Sequence, residues 1–261
     1  MTTWHLGTIG FAYKAWQGLF YPPWLESQNY LSAYGDIFNA VEMDSTFYAV
    51  PRPELVSRWA ARMPDGFKVC PKTPRAISHE FQLPQAIGRM LDFLQAMRGF
   101  GQKLGPVLLQ WPPTFTAGAM AGLDEFLAAL PHDIRYAVEF RHTSWDTPET
   151  LDLLSRYRVA LVAVDYVHSP RQIKPSADFL YIRWLGEHGR FERGSHARQD
   201  VSAGLTWWRD SLRDLQDDVT AIYGFFNDDF SGHAPEACNQ FKEMVGLPVT
   251  YPQFPKQGTL F

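Results

Sequence analysis

The feature that most constrains the fold is the alternation of short apolar runs with helical patterns along the chain. Eight runs have the length and composition of buried strands, and most are followed by apolar residues at helical spacing. The predicted strands cover residues 4–11, 40–44, 66–71, 106–111, 135–140, 159–164, 179–185 and 221–226. Eight strands with crossover helices in 261 residues favour a closed (β/α)8 TIM-type barrel over a doubly wound α/β sheet.

The sequence predicts one barrel domain over residues 1–247 and a surface tail over residues 248–261, which is rich in Pro and Gln. A helix with Ile87, Met90, Leu91 and Leu94 on one face is the clearest crossover. Residues 166–178 have a loop-like composition and predict no helix.

The net charge bears on which partners the protein can bind, and the cysteine content bears on the cellular compartment in which it folds. The formal net charge is -4, so the chain as a whole lacks the basic footprint of a nucleic-acid binder, although a local basic cleft is compatible with it. Cys70 and Cys238 show neither metal-ligand spacing nor a disulfide-rich pattern, which fits the cytoplasm. The sequence predicts no signal peptide and no membrane span.

Polar residues stand at the carboxyl ends of the predicted strands, where barrels of this type carry their chemistry. Glu42, Glu139 and Arg183 are each flanked by large apolar side chains. Burying such charges costs several kcal/mol unless they are paired. One interpretation is a structural ion-pair network that plugs the barrel, with Glu42 or Glu139 bound to an arginine. The favoured interpretation is a ring that binds and transforms a ligand.

The ring supplies candidates for each role. The predicted catalytic residues are Glu42, His79, Glu139 and Asp165. The predicted substrate-binding residues are Tyr48, Lys72, Gln110, Arg141, Trp145, Arg183 and Asn227. Glu42, Glu139 and Asp165 are also candidate ligands for a divalent metal, the cofactor that phosphodiester hydrolysis often uses. A metal-free site that binds a phosphorylated ligand through the same cations is an open alternative.

Several motifs in this order resemble the YecE-like family, domain of unknown function 72. They are Gly7-Thr8-Ile9-Gly10-Phe11, Val41-Glu42 with Thr46-Phe47-Tyr48, Ile77-Ser78-His79, Gln110 with Pro112-Pro113, Glu139-Phe140-Arg141 with Trp145, and Phe226-Asn227 with Gly232-His233-Ala234. The resemblance implies a TIM-type barrel and no established activity, although a similarity to endonucleases of damaged DNA has been suggested for the family. Ser78 and Asp228 depart from the residues frequent there, Thr and Asn.

The segment Gln257-Gly258-Thr259-Leu260-Phe261 resembles the peptide with which bacterial DNA-repair proteins dock on the sliding clamp, with Gly258 at a commonly apolar position. Gln257, Leu260 and Phe261 would be its contact residues. The leading hypothesis is therefore an enzyme of nucleic-acid metabolism, a phosphodiesterase or repair-type hydrolase acting on DNA. The alternatives are an enzyme acting on a small phosphorylated or sugar-like metabolite and a non-catalytic protein associated with DNA or the clamp.

Overall fold

The computed structural model describes residues 2–80, 83, 85–167, 169–191 and 198–252. Its strands are β1 (Thr3–Ile9), β2 (Ala40–Met43), β3 (Lys68–Pro71), β4 (Val107–Gln110), β5 (Tyr136–Glu139), β6 (Ala160–Leu161), β7 (Ala163–Asp165), β8 (Phe179–Trp184) and β9 (Ala221–Phe226). Its α-helices are α1 (Tyr30–Gly35), α2 (Pro53–Arg62), α3 (Arg75–Ser78), α4 (Ile87–Met97), α5 (Met120–Ala128), α6 (Pro148–Arg156), α7 (Ser202–Leu215), α8 (Asp228–Ser231) and α9 (Ala234–Met244).

The strands pair in parallel in the order β3-β2-β1-β9-β8-β7, with a second ladder in the order β4-β5-β6. Backbone hydrogen bonds join the two ladders at both seams. Thr73 N, just after β3, donates to Leu108 O at 2.9 Å, and Val162 N, between β6 and β7, donates to Val138 O at 2.9 Å. Because β6 and β7 form one interrupted strand, the ring has eight strand positions and is a (β/α)8 barrel, as the sequence predicts.

Every predicted strand overlaps an observed one, and residues 166–178 contain no helix among those described. The predicted sixth strand is divided at Val162, where pairing changes from β5 to β8. Its apolar pattern is continuous, so the sequence carries no sign of this change of partner. The short helices α3 and α8 were not predicted, because four residues are too few for a helical period to show.

Two apolar layers surround the strands, one between strands and helices and one inside the ring. The inner layer contains Ile9, Ala40, Cys70, Leu108, Ala137, Ala160, Val162, Phe179, Tyr181, Ala221, Tyr223 and Phe225. Side chains alternate along a strand, so the residue two positions further on faces the same interior. This rule places Glu42, Lys72, Gln110, Glu139 and Arg183 directly above the inner apolar layer, at the carboxyl-terminal mouth of the barrel.

The glycine motif after the start of β1 serves close packing beside this mouth. A Cβ on Gly7 would lie 1.9 Å from Ala40 O, so the close approach of β1 to β2 requires glycine there. Gly10 has φ 74°, a conformation that favours glycine, and its N–H donates to Glu42 O at 2.8 Å. The motif therefore fixes the backbone that carries Glu42.

Candidate functional site

An ion-pair network centred on Arg183 occupies the carboxyl-terminal mouth. Arg183 Nε donates to Glu42 Oε2 at 2.9 Å and Nη2 donates to Glu42 Oε1 at 2.8 Å, while Nη1 donates to Glu139 Oε2. Arg141 Nε donates to Glu139 Oε1, and the Tyr181 hydroxyl donates to Glu42 Oε2 at 2.9 Å. All four carboxylate oxygens therefore have partners. Because Glu42, Glu139 and Arg183 are almost fully buried, this pairing offsets much of their desolvation cost.

The cations control the protonation of Glu139. Burial by itself would raise the Glu139 pKa, but Arg183 and Arg141 outweigh burial and lower that pKa to about 2. Burial likewise disfavours the charged form of Arg183, yet Glu139 and Glu42 hold the Arg183 pKa above its usual value. At neutral pH Glu139 is a carboxylate bound on both oxygens. A group in this state positions its neighbours better than it transfers protons.

Lys72 and His79 both contact the Phe47 ring. Lys72 Nζ is 4.2 Å from the ring centroid, and the His79 ring packs against Phe47 edge-on with its centroid 5.2 Å away. Burial lowers the Lys72 pKa, and the nearby Arg183 lowers it further. The His79 pKa lies below 6.5 because of burial and the Lys72 charge. His79 is therefore mainly neutral at pH 7, and its Nδ1 lies 2.8 Å from Ser78 Oγ.

The loop after β2 adds an acidic and an aromatic group to this cluster. Burial raises the Asp44 pKa, and the Lys72 charge opposes that change. Tyr48 is 82% exposed and packs edge-on against Phe47. Tyr48 is therefore an exposed aromatic ring that is separated from the Lys72 ammonium group by Phe47. Asp44, Phe47 and Tyr181 are not among the site residues predicted from the sequence. The alternation of side chains along a strand is the signal that selects Asp44 and Tyr181.

Asp165 does not join the network. Val162 and Val164 pack with the inner layer, so Asp165 points outward, to the side of the helices. Its Oδ2 accepts hydrogen bonds from Trp208 Nε1 at 2.7 Å and from Arg171 Nε at 2.9 Å. The prediction that placed Asp165 beside Glu42 and Glu139 counted strand ends without counting the side on which each residue points.

Two other predicted ligand contacts, Trp145 and Asn227, have structural roles, and a third, Gln110, lies at the mouth. Trp145 is buried, stacks on Phe140 and donates from Nε1 to Phe115 O at 2.7 Å, which leaves its ring no exposed face. Asn227 Oδ1 accepts from Asp229 N at 2.9 Å and caps α8. Gln110 is half-buried at the end of β4, next to Glu139 in the strand register.

Asp228, where the family resemblance leads us to expect Asn, has a role that a carboxylate fills well. Its oxygens accept from Trp16 Nε1 at 3.0 and 3.2 Å and from Ala234 N at 2.8 Å. Both groups are donors, so an acceptor-only carboxylate satisfies them. The substitution therefore ties the loop after β1 to the start of α9.

The three carboxylates suggested as metal ligands do not fit a metal site. Glu42 and Glu139 are bound by arginines, and Asp165 is bound by Trp208 and Arg171. Across the described ranges, no group of three or more His, Cys, Asp or Glu side chains is placed to hold a metal ion. The predicted clamp contacts Gln257, Leu260 and Phe261 lie outside the described residues.

The fold and the mouth define a (β/α)8 barrel protein with a buried Glu–Arg–Glu network below a cluster of cationic and aromatic side chains. The chain belongs to the family described as Protein of unknown function DUF72, whose model matches residues 5–258. This confirms the resemblance to YecE-like proteins. The UPF0759 protein YecE of Escherichia coli strain K12 is 38% identical over 112 residues, which are 43% of this chain and 41% of that relative.

More distant relatives match over most of the chain. The UPF0759 protein YunF of Bacillus subtilis strain 168 is 26% identical over 259 residues, 87% of this chain and 90% of YunF. The crystal structure of a DUF72 family protein from Thermotoga maritima superposes with a TM-score of 0.77 at 25% identity, over 94% of this chain and 99% of the other. A DUF72 family protein from Enterococcus faecalis gives a TM-score of 0.73 at 18% identity, over 95% of this chain and 99% of the other. Among the helices described, none has the length and apolarity needed to cross a membrane.

Proposed function

We propose that the protein is an enzyme of nucleic-acid metabolism that hydrolyses a phosphodiester bound at the carboxyl-terminal mouth of the barrel. The observation that carries this proposal is the position of Lys72 beside a carboxylate pair that two arginines already bind. In the part of the chain that the structure describes, no hydrogen bond or ion pair holds Lys72 Nζ, which lies over the Phe47 ring. This ammonium group supports the proposal, because it remains available to bind a phosphate oxygen.

The neighbouring groups supply the other parts of a phosphate site. Arg141 uses Nε for Glu139, and its side chain is 31% exposed, so its guanidinium can also face a bound phosphate. Tyr48 and Phe47 offer aromatic surface for a base next to that phosphate. Glu42, Glu139 and Arg183 act as positioning residues, because their mutual bonds set the charge and geometry beneath the ligand.

His79 is the proposed general base. Its lowered pKa leaves the imidazole mainly unprotonated at pH 7, so it can accept the proton of a water that attacks phosphorus. The new bond joins water oxygen to phosphorus, and the bond to the leaving oxygen breaks. Lys72, whose pKa is also lowered, donates the proton that the leaving oxygen needs. The products are a phosphomonoester and an alcohol, so the atoms and charges balance.

The test is cleavage of end-labelled single-stranded, duplex, abasic and flapped DNA and of RNA, with chelator and with added Mg²⁺, Mn²⁺ or Zn²⁺. Lys72→Gln and His79→Gln should each lower the rate by about 10²-fold, the range of a lost acid–base group. Arg58→Gln is the matched control, because Arg58 is an exposed cation on α2 and lies outside the cluster around Phe47. Its rate should equal that of the wild type.

Two outcomes contradict the proposal. One is the absence of cleavage on every substrate by a protein whose folding is verified by its thermal transition. The other is cleavage that Lys72→Gln and His79→Gln leave unchanged. The latter result would show that the activity belongs to a different site or to a contaminant.

A small phosphorylated or sugar-like metabolite is the second candidate ligand, and one observation favours it. Lys72 is half-buried near Arg183, so the phosphate of a compact ligand reaches it more easily than a phosphate within a duplex. Sugar phosphates and mononucleotides should then raise Tm in the wild type and not in Lys72→Gln, because a ligand that binds the native state stabilises it. Such a result without nucleic-acid cleavage would place this candidate first.

We further propose that residues 248–261 are a tail that brings the barrel domain, residues 1–247, to DNA through the sliding clamp. The support is the QGTLF sequence, in which Leu260 and Phe261 would enter an apolar groove while Gln257 makes hydrogen bonds. Clamp docking by a barrel with no cleavage activity would favour the non-catalytic, DNA-associated alternative.

A further inference from the structure

A second groove, rich in cations, crosses the opposite face of the barrel. Its residues precede the strands: Lys68 begins β3, Arg135 comes directly before β5 and Asp178 comes directly before β8. Two adjoining cavities of about 730 and 510 Å³ form the groove, and both are lined by Asp133, Ile134 and Arg135. This face lies at the amino-terminal ends of the strands, away from the candidate site.

The groove has more cations than carboxylates although the chain carries a net charge of -4. Its cationic lining residues are Lys68, Arg98, Arg135, Arg156 and Arg158, and its carboxylates are Asp133 and Asp178. Each carboxylate is bound by an arginine, Asp133 by Arg98 at 2.6 Å and Asp178 by Arg135 at 2.7 Å. Arg156 is paired with Asp124, just outside the groove, which leaves Lys68 and Arg158 as the surplus of positive charge.

Arg158 has a backbone conformation that a glycine would adopt at lower energy. Its φ is 55°, and among the described residues it is the one non-glycine with positive φ. It follows α6, where Val159 N donates to Leu154 O at 2.9 Å and Arg158 N donates to Ser155 O at 3.1 Å. These are the bonds of a Schellman motif, whose left-handed position is usually glycine. No hydrogen bond or ion pair within the described ranges holds its exposed guanidinium. No such contact of the Arg158 side chain therefore offsets the backbone strain.

The cations are spread along the groove rather than gathered at one point. Lys68 and Arg98 line one cavity, Arg156 and Arg158 line the other, and Arg135 lines both. Tyr157 lies among them and is partly exposed, whereas Tyr136 and Tyr223, which also line the cavities, are buried. A row of positive charges with one partly exposed aromatic ring beside it suits a linear polyanion that carries bases.

We infer that this groove binds a single strand of nucleic acid, with Lys68 and Arg158 contacting its phosphates. The inference goes beyond the proposed function, because it concerns the opposite face and needs no chemistry at the carboxyl-terminal mouth. The nearby His5 is consistent with a positive local potential. It stacks on Tyr223, and burial followed by the charges of Lys68 and Arg135 lowers its pKa to about 4.

The test is fluorescence anisotropy of labelled oligothymidylate and oligouridylate titrated with the full chain at several salt concentrations. For the double variant Lys68→Gln with Arg158→Gly, the slope of log K against log salt should become shallower by about 1.4, or about 0.7 for each lost contact. Arg158→Gly alone should weaken binding while it raises Tm by about 2 °C, because glycine relieves the left-handed strain. A gain in Tm excludes unfolding as the cause of lost binding, and Arg158→Lys should retain binding.

Two control variants distinguish binding in this groove from binding at the carboxyl-terminal mouth. Arg58→Gln removes an exposed cation on α2 and should leave both affinity and slope unchanged. Under the proposed function Lys72→Gln should lower cleavage by about 10²-fold, and the salt-dependent binding that Lys68 and Arg158 support on the opposite face should still be measured in this variant. Binding that is lost in Lys72→Gln and retained in the double variant would overturn the inference and not the proposed function. Absence of binding by the wild type to both oligonucleotides would overturn it as well.

Discussion

Glu42 and Glu139 bind the same guanidinium, that of Arg183, although they lie on the non-adjacent strands β2 and β5. Arg183 lies on β8, so the three side chains reach across the interior of the ring from separate sectors. One charge network thus links strands that share no backbone hydrogen bonds with one another. The structural and functional interpretations of the polar ring are therefore compatible. The buried network supports the mouth structurally, and Lys72 and His79 lie beside it as candidate functional residues.

Replacement of Arg183 tests how much the Glu42–Arg183–Glu139 network stabilises the protein. Arg183→Met should lower the free energy of unfolding by about 3–5 kcal/mol, since it leaves two buried carboxylates without their main partner. Urea unfolding measures the loss. The triple variant Arg183→Met with Glu42→Gln and Glu139→Gln should recover part of the stability, because no uncompensated charge is then buried. A loss below about 1 kcal/mol in the single variant would show that the carboxylates find other partners.

The Glu139 pKa predicts how stability depends on pH. The pKa is about 2 in the folded protein and near 4.5 in a free side chain, so the folded state binds a proton less readily. The stabilisation is fully present above pH 4.5 and is lost as pH falls from about 4.5 to about 2, with a slope of up to about 1.4 kcal/mol per pH unit. Urea unfolding at a series of pH values measures this slope.

Glu139→Gln is the control for this pH dependence, because it removes the titrating group. Between pH 4.5 and 2, the unfolding free energy of this variant should change less steeply with pH. The difference corresponds to nearly one proton fewer bound on unfolding. His5 and His233 have pKa values lowered to about 4, so they contribute between pH 6.5 and 4 in both proteins. Equal slopes for the two proteins below pH 4 would refute the assignment.

The tail provides an independent prediction. Leu260→Ala with Phe261→Ala should weaken binding to a purified bacterial sliding clamp by at least about tenfold, because a truncated apolar anchor costs more than about 1.4 kcal/mol. Surface plasmon resonance with immobilised clamp measures the effect. Thr259→Ala is the matched control, since it changes the same segment without touching an anchor. If the wild type does not bind the clamp, the motif is a chance match.

The fold was predictable from the sequence because parallel strands that are buried on both faces are continuous apolar runs. The run at residues 221–226 was predicted with the bounds of β9, and the strands carrying Glu42 and Glu139 were predicted to within one residue of β2 and β5. Pairing of these charges with arginines was one of the two interpretations that the sequence left open, because leaving buried charges unpaired is costly. Division of the sixth strand at Val162 could not be predicted, because it depends on which neighbours the strand pairs with in three dimensions.

The composition of the site was less predictable than its location. Strand ends identify residues near the mouth, but only the alternation of side chains says which of them face the interior. Trp145 was expected to contact a ligand, yet its indole N–H is bound to Phe115 O and its ring is covered. The sequence does not encode these long-range partners in any local pattern.

Asp165 gives the sharpest test of this distinction. Asp165→Ala should lower the free energy of unfolding by about 1–3 kcal/mol, because it leaves the buried Trp208 Nε1 donor without its acceptor. It should leave any phosphodiesterase rate unchanged, since Asp165 faces the helices rather than the mouth. Asp146→Ala is the matched control, because Asp146 pairs with Lys174 at the surface, and its stability should change by less than about 1 kcal/mol. If Asp165→Ala abolishes activity and retains full stability, Asp165 belongs to the catalytic site and the outward assignment is wrong.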